Sequence, residues 1–209
     1  GVVGCITPFN FPIMIPAVMI AMAVSVGNSI VWKPSEKVPS AALFFAELWK
    51  EAGLPDDVFN VVQGDKTAVD ALLEHPEIAA VSFVGSTQIG EYVYQKGTSH
   101  NKRVAAFTGG KNHMVVMPDA DLEAAANAFV SAGFGSASQR CMAVSLLIPV
   151  GAETADHLRQ RIVEKIKALK VGAYNDPTAD FGAVISAQSQ QSVLKAIDQC
   201  IADGAELVV

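Results

Sequence analysis

Short apolar runs alternate with helical stretches along the whole chain, and this alternation limits the fold more than any other feature. Strands are expected at Val2–Thr7, Ser29–Lys33, Val58–Val62, Ala79–Val84 and Val104–Phe107. Between them lie helical patterns at Ile13–Val26, Pro39–Glu51, Lys66–Leu73 and from Gly85-Ser86-Thr87 to about Lys96. Pro39 opens the second helix and Gly53 stops it. Short apolar strands separated by helices imply a parallel sheet covered on both faces, an α/β, doubly wound arrangement. Ligands of such sheets sit beyond the carboxyl ends of the strands. A second α/β block begins near Gly109, with strands at Asn112–Met117 and Ala143–Val150. Its helices run from Pro118-Asp119, with Asp119 as the expected cap, to about Gly135, then over Ala152–Leu169 and Ser186–Asp203. The organisation is therefore 1–108 and 109–209.

The stretch from Phe11 to Trp32 contains no charged residue, and a run of that length is a candidate membrane span. Pro12 and Pro16 sit near its start, where a helix tolerates proline. Gly27-Asn28-Ser29 splits it with a turn. The helical part would cover only ~21 Å at 1.5 Å per residue, short of the ~30 Å hydrocarbon core. A buried helix followed by a buried strand is the expectation, with no membrane association.

Of the 209 residues 51% are hydrophobic and 17% charged, against roughly 25% charged in ordinary soluble domains. This excludes intrinsic disorder. The formal net charge of −6 argues against a nucleic-acid partner. Cys5, Cys141 and Cys200 are too far apart for a disulfide framework or a zinc cluster, and the four histidines are scattered; no metal site is expected. Gly1–Ile6 and Ala205–Val209 both read as strand, so the chain is expected to be a piece of a longer one.

Chemistry is sought first at Cys141, set among Ser136, Ser138, Gln139 and Arg140. A nearby cation favours the reactive thiolate; a buried filler is the other reading. Cys5 and Cys200 read as inert packing residues. Gly85-Ser86-Thr87-Gln88-Ile89-Gly90 marks a strand-to-helix turn where free N–H groups can bind phosphate, although serine also caps helices without any ligand. Lys33-Pro34-Ser35-Glu36 follows a strand and has the chemistry to hold ribose hydroxyls, or to be a solvated loop. Asn10, between Phe9 and Phe11, offers a rigid amide as an oxyanion donor or as a turn stabiliser.

Taken in order, Thr-Pro-Phe-Asn-Phe-Pro, Lys-Pro-Ser-Glu, Phe-Val-Gly-Ser-Thr, Thr-Gly-Gly-Lys-Asn and Gln-Arg-Cys resemble the aldehyde dehydrogenase superfamily over the whole chain. Lys111–Ala120 and Gln139-Arg140-Cys141-Met142 are similar to its CoA-acylating branch, which acts on methylmalonate or malonate semialdehyde. The resemblance implies a Rossmann-like coenzyme domain followed by part of a catalytic domain. It implies NAD as cofactor and coenzyme A as co-substrate. Cys141 matches the thiol nucleophile, and Asn10 with the Cys141 backbone N–H the oxyanion hole. Lys33 and Glu36 match the adenosine-ribose pair, and Lys37 an adjacent cofactor contact. Ser86 matches the pyrophosphate contact, Thr7 and Phe9 the wall beside the cofactor, and Thr108 a nicotinamide-side contact. Arg140 matches the residue that receives the substrate carboxylate.

Hydrolytic members carry glutamate two residues before the Gly-Gly-Lys, where this chain has Phe107. Phenylalanine cannot activate water. Phe107 therefore fits release of the acyl group to a thiol, giving propionyl-CoA or acetyl-CoA plus carbon dioxide through a cysteine thioester. A hydrolytic enzyme with a relocated base and an inactive dinucleotide-binding module are the alternatives. The resemblance further implies a homodimer or homotetramer in the intact protein, in the cytoplasm or, in a eukaryote, the mitochondrial matrix. The 209 residues alone are expected to be inactive.

Overall fold

The structure, a computed structural model, describes all residues from Gly1 to Val209. It divides into two compact units, Gly1–Gly109 and Gly110–Val209.

The first unit is built on five parallel strands, β1 (Val2–Ile6), β2 (Ser29–Lys33), β3 (Phe59–Val61), β4 (Ile78–Val84) and β5 (Arg103–Phe107), in the order β3-β2-β1-β4-β5. They alternate with α1 (Met14–Ser25), α2 (Pro39–Glu51), α3 (Lys66–Glu74) and α4 (Thr87–Ser99). Successive side chains on a strand point to opposite faces, so neighbours in sequence feed different cores. Cys5, Ile30 and Trp32 join Ile20 and Ala42 on one face, where Trp32 stacks on Phe59 at 5.8 Å and meets Phe45 edge-on at 6.2 Å. Ile6, Val81 and Phe83 join Val69, Leu73 and Val93 on the other. Each large side chain so buried contributes about 1.5–3 kcal/mol. The doubly wound fold expected from the alternation is what the structure has.

Two further devices hold the second face. Lys102 is buried, and its Nζ donates to the carbonyls of His75 (2.5 Å) and Ile78 (2.8 Å), tying the cap of α3 to the start of β4; burial pushes its ammonium pKa down. On the surface, Tyr92 of α4 donates its hydroxyl to Asp70 of α3 at 2.5 Å, and Lys66 and Lys96 approach the same carboxylate at 2.6 and 3.1 Å.

α1 departs from the expected buried helix. Pro16 and Ile20 are its buried residues, while Met14, Val18 and Met22 are exposed. A helix apolar all round can press only one side against a sheet, and nothing in this chain covers the other. No helix is long and apolar enough to cross a membrane.

The second unit has a parallel pair, β6 (Asn112–Val116) and β7 (Val144–Pro149), with α5 (Leu122–Phe134), α6 (Ala152–Ala168) and α7 (Ala187–Ala202). Its core gathers Val116, Ala126, Val130, Leu158 and Ile162. The cap of α5 is Asp121, not the expected Asp119: the Asp121 carboxylate accepts from the N–H groups of Glu123 and Ala124 at 3.0 Å each. Ala205–Val209 is not a strand as expected, because no neighbouring strand offers it a ladder. Cys200 is exposed instead of packed, since the apolar side of α7 (Val193, Leu194, Ile197, Ile201) lies uncovered.

Candidate active site

In the first unit the sheet order reverses at β1. The chain steps from β1 to β2 and β3 on one side, then crosses to β4 and β5 on the other. The crevice between the carboxyl ends of β1 and β4 is thus the switch point at which ligands of doubly wound sheets bind. The chain leaves β1 through Thr7, Phe9 and Asn10, β2 through Lys33, Glu36 and Lys37, β4 through Ser86 and β5 through Phe107 and Thr108. Eight of the ten expected site residues therefore lie along this one edge.

Several of them have a defined setting. Thr7 is buried; its Oγ1 accepts from Trp32 Nε1 at 2.8 Å, and its N–H donates to the Lys33 carbonyl at 3.3 Å. Lys33 is only 5% exposed, yet its Nζ reaches Glu36 Oε2 at 3.1 Å, so the aliphatic stem is buried and the charge turned to the loop. Burial pushes the Glu36 carboxyl up, but the hydrogen bond from its own backbone N–H and the Lys33 ammonium outweigh this and leave it below its ordinary value. Ser86 stands at the N-cap of α4 with no side-chain cap bond, which leaves its hydroxyl uncommitted to the helix. Gly90 brings α4 against β5's end: a Cβ there would stand 2.3 Å from Thr108 Cγ2. Phe107 is 61% exposed and, with Met14, Met22, Cys5 and Val84, lines an apolar cleft of about 640 Å³.

The second unit carries Cys141 and Arg140. Cys141 is exposed, against a buried Cys5 whose thiol burial pushes up to about 12. It sits in a turn closed by the Ala143 N–H donating to the Arg140 carbonyl at 3.1 Å. Just before the turn, Ser136, Ala137 and Ser138 all take left-handed φ values of 57°, 51° and 60°, a backbone region costly for residues with a Cβ. The Ser138 hydroxyl donates to the Gly133 carbonyl and helps hold this segment. Arg140 folds back toward α5: its guanidinium lies where a Gly135 Cβ would be, and Nη1 donates to the Ser131 carbonyl at 3.5 Å. That is the carbonyl end of α5, where a cation is favoured.

Sequence reasoning passed over three residues. Asn112 donates through Nδ2 to the carbonyls of Cys141 and Ala143, both at 2.9 Å. Gln139 accepts from the Ile185 N–H at 2.9 Å and donates to the Ser136 carbonyl at 3.2 Å. Trp32 supplies the donor to Thr7. The only signal for Asn112 and Gln139 was their place inside two of the quoted motifs. No group of three His, Cys, Asp or Glu side chains is arranged to hold a metal ion.

A parallel sheet reversing at β1, with lysine, glutamate, serine and asparagine along its carboxyl edge, defines a doubly wound α/β protein. The chain belongs to the aldehyde dehydrogenase family, whose sequence profile matches residues 1–209. It is 53% identical over 209 residues to the malonate-semialdehyde dehydrogenase of Pseudomonas aeruginosa, covering all of this chain and 42% of that protein. It is 46% identical to the acylating, mitochondrial methylmalonate-semialdehyde/malonate-semialdehyde dehydrogenase of Bos taurus, covering all of this chain and 38% of the relative. A Sinorhizobium meliloti crystal structure in complex with NAD matches with a TM-score of 0.98 at 53% identity, over 100% of this chain and 43% of that one. The chain thus spans about 42% of the length of relatives it matches.

Proposed function

We propose that this chain supplies the coenzyme-binding sheet (1–108) and the nucleophile-bearing part of the catalytic domain (109–209) of an NAD-dependent, CoA-acylating methylmalonate- or malonate-semialdehyde dehydrogenase. One observation carries the reading: of the three cysteines, the one matching the family's nucleophile, Cys141, is presented to solvent on a fixed turn.

The edge of the first unit fits a dinucleotide. Lys33 and Glu36 would take the adenosine ribose, with Lys37 beside them. Ser86, at a helix start whose N–H groups favour anions, would take the pyrophosphate. Thr7 and Phe9 would form the wall beside the cofactor, and Thr108 would meet its nicotinamide side. Glu36 would repel a 2′-phosphate, which supports NAD over NADP. When bound, NAD+ supplies the hydride acceptor.

The Cys141 thiolate adds to the aldehyde carbon, forming a C–S bond and an oxyanion. The Cys141 N–H stabilises that charge, and the family resemblance gives the Asn10 side-chain amide the same task. As the oxyanion collapses to a carbonyl, hydride leaves and a thioester remains on Cys141. Loss of carbon dioxide breaks the bond to the carboxylate-bearing carbon; the electron pair stays on the α-carbon and takes up a proton. Coenzyme A then attacks as its thiolate, and the Cys141 thiolate leaves. Arg140, a planar fork suited to carboxylates, would swing from the Ser131 carbonyl to receive the substrate carboxylate. Phe107 offers no base for water, so the thioester waits for a thiol.

We also propose a homodimer or homotetramer as the working state of the intact protein, and the cytoplasm or mitochondrial matrix as its location, after the Bos taurus relative's mitochondrial name. The test is product analysis on the natural polypeptide that carries this chain. With malonate semialdehyde and NAD+, acetyl-CoA should be the product, and sustained NADH formation should depend on added coenzyme A. Free acid made equally fast without it would overturn the acylating reading. Full activity after Cys141→Ala would overturn Cys141 as the nucleophile.

A further inference from the structure

We propose that Asn112 is the positioning residue for Cys141, fixing the nucleophile's backbone through the two protons of one side-chain amide. The inference rests on Cys141 being the nucleophile. Asn112 is the first residue of β6, where the β6–β7 register shifts between Asn112 and His113. Its side chain reaches along the incoming edge of β7. There its Nδ2 donates to the Cys141 and Ala143 carbonyls, each at 2.9 Å. An amide nitrogen has two protons, so both bonds are made at once.

One of these carbonyls belongs to the thiol-bearing residue itself and the other to the last residue of its turn. The turn closes on itself through Ala143 N–H to Arg140 C=O, 3.1 Å. That bond alone lets the turn rock as a unit. Asn112 ties it to β6 on its far side, and Gln139 ties its near side to the Ile185 N–H at 2.9 Å. With the Cys141 and Ala143 carbonyls held, the peptide planes that follow Cys141 and Ala143 are oriented, and, with Gln139 holding the near side, the swing of the Cys141 Cα–Cβ bond and N–H is restricted. The preceding residues have left-handed backbone at three successive positions, so the turn needs an external hold to stay where it is. Asn112 touches neither the sulfur nor any reacting atom. Its effect runs through the main chain.

The experiment uses the natural polypeptide that carries this chain, with Asn112→Asp, Asn112→Ala and Asn112→Ser, and Cys141→Ala as reference. Asn112→Asp keeps the shape and loses both donors. Misplacing a reacting group by about 1 Å costs on the order of 100-fold, so Asn112→Asp and Asn112→Ala should lose about 10- to 100-fold in kcat. The KM for NAD should stay within twofold. Asn112→Ser, with one donor, should fall between. The pH profile of Cys141 alkylation by iodoacetamide should shift in Asp and Ala variants whose thermal midpoint matches the parent. Activity is scored per folded molecule, by circular dichroism. If kcat per folded molecule and the alkylation profile both stay at parental values in Asp and Ala, the proposal is overturned. Cys141→Ala separates the two readings. An inactive Cys141→Ala beside normal Asn112 variants rejects the clamp alone, and an active Cys141→Ala rejects the nucleophile on which it rests.

Discussion

Trp32 donates its indole N–H to Thr7 Oγ1 at 2.8 Å across neighbouring strands, so a core aromatic and an edge residue of the coenzyme sheet are locked together. Replacing Thr7 by valine keeps the shape and strands a buried donor. That should cost about 1–3 kcal/mol, read as a lower denaturation midpoint. Trp32→Phe added to Thr7→Val should recover part of the hydrogen-bond loss, because neither partner is then left wanting, though the smaller ring gives up packing on Phe59. A double-mutant cycle by urea unfolding measures the coupling.

Gly90 admits the Thr108 methyl group to 2.3 Å from the place a Cβ would occupy. Gly90→Ala should therefore destabilise the first unit by about 1–3 kcal/mol through overpacking. Thr108→Ser removes the offending methyl, and in the double variant at least half of the loss should return. Thermal unfolding of the four variants decides it: equal losses in single and double variants would contradict the contact.

Thiol labelling should sort the cysteines by exposure. In native protein, iodoacetamide should modify Cys141 and Cys200 and spare Cys5, which is buried with its thiol raised to about 12. Peptide mass spectrometry after a short pulse reads the order. Cys200→Ser should leave aldehyde oxidation by the natural polypeptide unchanged, while inactivation should track the modification of Cys141.

The α3–α4 network makes an acid-side prediction. The hydrogen bond from Lys66, then that from the Tyr92 hydroxyl, hold the Asp70 carboxyl down at about 2, below the ordinary value of about 4. A carboxylate whose folded pKa is depressed contributes stability above its unfolded value and loses it as pH falls through the folded one. The contribution should be complete above about pH 4 and vanish toward pH 2. Urea midpoints measured across that window should fall in the parent and flatten in Asp70→Asn.

The first unit was legible in the sequence because each strand is a short apolar run bounded by a turn or a capped helix. Ser29–Lys33 and Pro39–Glu51 match the structure residue for residue. The positions of Lys33, Glu36 and Ser86 at or just beyond strand ends were legible from the same runs, while Thr7 was singled out only by the family resemblance. Burial of whole faces was not. Whether α1 or α7 is covered depends on which other surfaces exist to pack on them, and local pattern says nothing of that. For the same reason Cys200 was misjudged. Asp121 was missed as the cap because Asp119 stands two residues earlier with the same chemistry, and only backbone geometry chooses between them. Asn112 escaped notice because it acts on a carbonyl 29 positions away, where no periodicity reaches.

The bare side of α1 has a practical consequence. Met14, Val18 and Met22 give water an oily ridge with no charge to break it. A polypeptide of these 209 residues should self-associate as its concentration rises, and light scattering should grow steeply where a charged variant, Val18→Lys with Met22→Glu, stays flat.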